Sequence, residues 1–168
     1  MKRTYSILAA ALIAVLGYAQ ENAENFVNGA APFYNVDKDS LALDGFDPTE
    51  YFINNRAILG SMEHQYEHKG IIYHFVSKKN KSLFKENPEK YLPEFGGYCA
   101  YGIGMLSSAG GGSPGKYPVN PKTFKIIDNK LYLFYDDKGY NFLNVWEKDE
   151  LQNLKRAHQR WKTLYGVN

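Results

Sequence analysis

Two stretches of alternating β-branched and aromatic residues, each broken by a turn dipeptide, constrain this chain more than any other feature. Gln65–Val76 (QYEHKGIIYHFV) turns at Lys69-Gly70, and Thr123–Ile127 and Lys130–Tyr135 flank Asp128-Asn129. Runs of this kind about a two-residue turn predict two β-hairpins. Between them, Ser77 predicts the N-cap of a helix over 78–86, with Leu83 and Phe84 turned inward and Asn87-Pro88 ending it. From about Asp149 the spacing predicts an amphipathic helix whose inner stripe is Leu151, Leu154, His158, Trp161 and Tyr165, with Trp161 as its core anchor. Asp44-Gly45 and Asp47-Pro48 are turn signals. No internal repeat and no linker divides these elements. The expected fold is α+β: a small single domain of two β-hairpins with two or three helices around one core.

The N-terminus reads differently. Met1-Lys2-Arg3 is a short basic segment, Ile7–Leu16 is an unbroken apolar run, and Gly17-Tyr18-Ala19 places small residues where a signal peptidase would cut before Gln20. That run is shorter than the roughly 20 residues needed to cross a bilayer. Residues 1–19 are therefore expected to be a cleaved signal peptide, 20–32 a mobile leader and 33–168 the domain, exported to the periplasm or beyond without a stable membrane anchor. Lys2 and Arg3 account for the formal charge of +2, so the processed chain is balanced in sign. A neutral domain of interspersed charge lacks the basic footprint that nucleic acid requires.

Cys99 is the single cysteine, so no disulfide forms within the chain and stability has to come from packing. It sits in Gly-Gly-Tyr-Cys-Ala, where three roles are open: a small buried hydrophobe, a thiolate ligand, or a redox-sensitive thiol. His64 and His68 are four apart, but on a strand that spacing separates them by about 13 Å, too far to share an ion. His74 alternates with Tyr73 and Phe75 and faces away from them. His158 on the apolar stripe reads as a hydrogen-bonded core residue, and Met62 and Met105 as filler. Gly110–Lys116 has the G-x4-G-K spacing of a phosphate loop, but Tyr117 stands where Ser or Thr would hold magnesium, and the segment reads as a plain glycine-rich loop. Asp44, Asp47 and Glu50 are the acidic residues close enough in sequence to work as acid and base, although Asp47-Pro48 reads first as a turn.

Gly45-Phe46-Asp47-Pro48-Thr49-Glu50-Tyr51-Phe52 is similar to the opening motif of exported YHS-domain proteins. His68-Lys69-Gly70, Tyr73–Ser77, Phe84–Pro93, Phe95–Ala100 and Lys130–Leu133 continue the resemblance in order, with Trp146 and Trp161 near the end. The resemblance implies a metal-binding type of scaffold, as in the YHS domains at the termini of copper-exporting ATPases. Laid on their pattern residue by residue, the first family cysteine falls on Glu50 and the Cys-x3-Cys pair on Val76 and Asn80. The soft ligands implied by the family are thus replaced, since valine offers no donor atom.

The chain is accordingly read as a non-enzymatic cell-envelope binding module for a transition metal, copper or zinc, or for a small ligand, with Cys99 and His68 as the candidate metal ligands. The alternatives are a thiol-dependent redox enzyme or sensor built on Cys99, and a purely structural or interaction domain.

Overall fold

The computed structural model describes residues 33–105 and 116–165. The expected signal peptide and leader, the glycines 110–115 and the side chain of Tyr165 lie outside the described residues. The elements follow the sequence reading closely. Strands β1 (Ser61–His68) and β2 (Ile71–Phe75) form an antiparallel hairpin, as do β3 (Asn120–Ile127) and β4 (Lys130–Phe134). A third, minimal hairpin joins β5 (Asp136–Asp137) to β6 (Tyr140–Asn141). Both turn dipeptides are left-handed where required: Lys69 has φ 52° and Gly70 76°, Asp128 50° and Asn129 59°. Such turns twist with the strands they join, which is why they select tight hairpins. The helices are α1 (Glu50–Ile53), α2 (Lys78–Glu86), α3 (Pro88–Tyr91), α4 (Ala100–Gly104), α5 (Phe142–Trp146) and α6 (Glu150–Tyr165), with 3-10 turns at Leu43–Gly45, Glu94–Gly97 and Glu147–Asp149. The α+β class holds.

Ser77 caps α2 by accepting the Asn80 N–H on its hydroxyl at 3.1 Å. Pro88 does end α2, and it opens α3, where the missing N–H costs nothing.

Strand β4 organises the interior. Its side chains alternate, so Leu131 and Leu133 enter one apolar cluster while Tyr132 and Phe134 enter another. The first cluster joins Tyr73 and Phe75 of β2 to Phe84, whose ring touches those of Tyr66, His68, Tyr73, Phe75 and Tyr91. The second joins Phe95, Cys99, Ile103, Trp146 and Ala157. On its free edge β4 makes single parallel bridges from Leu131 to Pro93 and from Leu133 to Cys99. Helix α6 lies on α4, and a Cβ at Gly104 would stand 3.1 Å from the Ala157 nitrogen, so a side chain there would press the helices a few tenths of an ångström apart.

The expected stripe of α6 is corrected in part. Leu151 is 83% exposed, while Asn153 and Ala157 are buried and Leu154, His158 and Trp161 half-buried. The core tryptophan is Trp146, with no exposed surface, not Trp161. The helix is rotated because Ala157 must meet Gly104, and that contact is set by α4 rather than by the helix itself.

Candidate functional site

The left-handed turn at Leu43, Asp44 and Gly45 (φ 56°, 50° and 80°) swings the chain inward, and the run from Asp47 to Tyr51 is buried. Polar residues in such a run need partners, because desolvating a carboxylate without them is costly. Asp47 is wholly buried and finds four donors. Its Oδ1 accepts from the Thr49 backbone N–H at 2.8 Å and the Thr49 hydroxyl at 2.7 Å. Its Oδ2 accepts from the Val76 backbone N–H at 2.8 Å and from Asn80 Nδ2 at 2.8 Å. The second Asn80 N–H goes to Glu50 Oε1 at 2.7 Å, and Asn54 Nδ2 donates to Glu50 Oε2 at 2.5 Å. Glu50 and Asn80 are each 6% exposed. Asn80 Oδ1 points the other way and accepts from the Ser77 hydroxyl at 3.1 Å. The amide orientation is dictated by its neighbours, since an oxygen turned toward two carboxylates would repel both.

Two buried carboxylates thus share one neutral nitrogen. Among the described residues, no Lys, Arg or His is ion-paired with either of them. Hydrogen bonds satisfy the oxygens but bring no positive charge. The corner joins the 47–50 segment, the end of β2 and the first turn of α2, segments about thirty residues apart in sequence.

Residues 51–94 match the YHS domain family model. No curated protein and no solved structure matches the chain. The YHS match begins one residue after Glu50 and includes both Val76 and Asn80. The three positions that the resemblance assigns to family cysteines therefore meet in space, Glu50 and Asn80 by side chain and Val76 by its backbone N–H. Asp47, which holds two of the three, is the residue that ties the corner together. Sequence reasoning singled out Asp47 and Glu50 only as a loose acidic group. It took Asn80 as a lost ligand, and the signal for its role was that very alignment.

The sequence-predicted ligands lie elsewhere in the domain. Cys99 has no exposed surface, its Sγ accepts the Tyr135 backbone N–H at 3.2 Å, and burial pushes its thiol pKa up. His68 lies edge-on to Phe84 with ring centroids 6.0 Å apart, and its Nε2 is 3.8 Å from Glu89 Oε1, which Lys69 takes at 2.7 Å. The Lys69 hydrogen bond holds the Glu89 carboxyl below its usual range. Cys99 belongs to the second apolar cluster, whereas His68 leans on the first. Among the described residues, no three His, Cys, Asp or Glu side chains stand together as a metal cluster. His64 is half-buried on β1, with a buried Nδ1 that finds no hydrogen bond among the described residues, and His74 is half-buried with its Nδ1 against Gly45. Met62 is 72% exposed. Lys116, beside the glycine-rich segment, lies over the Tyr98 ring at 5.1 Å. His158 Nε2 meets the Tyr132 hydroxyl at 3.0 Å.

Proposed function

We propose that this protein is a non-enzymatic module of the metal-binding YHS type whose cargo is an oxygen-preferring divalent cation held by Asp47 and Glu50. The observation that supports this reading is the pair of buried carboxylates meeting at Asn80 Nδ2, 2.8 and 2.7 Å away, with no cation paired to them among the described residues. Carboxylate and amide oxygens suit calcium, magnesium or manganese, whereas thiolates select copper(I) and zinc. Rotation of the Asn80 amide would turn Oδ1 to the ion as a third oxygen donor, while Nδ2 turned to Ser77 Oγ.

Calorimetric titration and thermal unfolding of the processed chain with manganese, calcium, magnesium, zinc and copper test the proposal. Manganese or calcium is expected to raise the unfolding temperature, by about 2.7 kcal/mol of stability at a hundredfold excess over Kd. Glu50→Gln and Asp47→Asn should abolish that gain, while Cys99→Ser and His68→Ala leave it intact. No gain with any hard cation at millimolar concentration overturns the reading. Binding of copper or zinc that is lost in Cys99→Ser and weakened in His68→Ala would return the site to the thiolate and imidazole pair.

We also propose that the module works in the cell envelope after cleavage behind Ala19, a reading supported by the basic start, the apolar run and the small residues that follow. N-terminal sequencing of exported protein should begin at Gln20, and a product still starting at Met1 rejects the proposal.

A further inference from the structure

His158 occupies a half-buried position on α6 that is closed by rings. The Phe95 ring lies 5.0 Å from it and the Tyr132 ring 6.1 Å, while Trp161 packs on Phe95 at 5.7 Å. Its Nε2 is hydrogen-bonded to the Tyr132 hydroxyl, on β4. Burial raises the Tyr132 pKa and lowers that of His158, so the hydroxyl keeps its proton and, in the Nδ1–H tautomer of the neutral ring, donates it to Nε2. The charged groups that act on the ring are Glu94, from the 3-10 turn before α4, and Lys130, from β4. They are bonded to each other at 2.9 Å, so lysine shares the Glu94 carboxylate, and burial outweighs its pull on a histidine cation. A proton on Nε2 would also turn that atom into a donor and force the Tyr132 hydroxyl to accept and point its own hydrogen elsewhere.

We propose that His158 is an acid-sensitive latch whose protonation frees α6 from β4 and uncovers the layer over Cys99. The geometry supplies the connection. Helix α6 lies on α4 through Ala157 and Gly104, and α4 begins directly after Cys99, whose thiol shares a cluster with Ala157, Ile103 and Trp146. The sign follows from the buried ring. Burial lowers the His158 pKa below its ordinary 6.5, so the unfolded or undocked form binds the proton more tightly. The latch is therefore fully closed above that value, and it weakens as pH falls below it.

The test compares the processed wild-type chain with His158→Gln, which keeps an acceptor for Tyr132 but does not titrate. Hydrogen exchange of the α6 amides, corrected for the intrinsic pH dependence, is followed at about pH 7.5 and about pH 5.5. Cys99 is probed in parallel with a pyridyl disulfide that reacts with thiols in acid. Wild type should lose α6 protection several-fold at the lower pH and gain a similar factor in thiol reactivity, while His158→Gln stays flat. Equal pH dependence in the two proteins, or none in wild type, overturns the proposal. If His158→Gln does not fold, an NMR titration of wild type decides, and a His158 pKa at or above its ordinary value is the overturning result.

Discussion

Asn80 makes the difference between a satisfied corner and an unstable one. Its two N–H groups serve Asp47 and Glu50, and among the described residues no other side chain donates to both. Asn80→Ala removes both donors and leaves two buried carboxylates facing each other, which should cost about 2–4 kcal/mol in urea unfolding. Asn80→Asp should cost at least as much at neutral pH, because it adds a third carboxyl to the corner. Adding Glu50→Gln to Asn80→Ala removes the repulsion and should return part of the loss. A loss within about 0.5 kcal/mol for Asn80→Ala would place the carboxylates in contact with solvent instead. Cys99 shows the opposite economy at the same scale. A thiol can be buried for little, and backbone groups alone, that of Tyr135 among them, satisfy it.

Among the elements, α6 and β4 show where periodicity succeeds and where it stops. The hairpin turns and the Ser77 cap were legible because their chemistry is local: left-handed φ at a dipeptide, or a hydroxyl three residues from the amide it accepts. The inner face of α6 was not. Leu151 fits the apolar spacing yet is 83% exposed, because the face is chosen by the Ala157–Gly104 contact with α4. The anchoring tryptophan shifted for the same reason. Trp146 is fully buried between Tyr132 and Phe134, with ring centroids 6.1 and 5.3 Å away, while Trp161 is half-buried. Trp146→Ala should therefore cost about 3–5 kcal/mol in urea unfolding, and Trp161→Ala clearly less. The reverse order would mean that α6, not α5, carries the second cluster.

The whole molecule is held together by β4, whose alternate residues serve both clusters, so the two hairpins do not fold as separate units around separate cores. Among the described residues no helix is long and apolar enough to cross a membrane. The sequence by itself determined the α+β class, both main hairpins with their turns, the capped helix and the approximate span of the last one. Each of these is written in contacts between residues a few positions apart, where turn chemistry and hydrophobic period decide. It also carried the resemblance that led to Glu50, Val76 and Asn80. Only the tertiary structure decided that these three meet at Asp47, that Cys99 and His68 lie against different clusters, and that Trp146 rather than Trp161 fills the core. These outcomes join segments some thirty or more residues apart, and whether such segments touch depends on how the strands and helices close over β4.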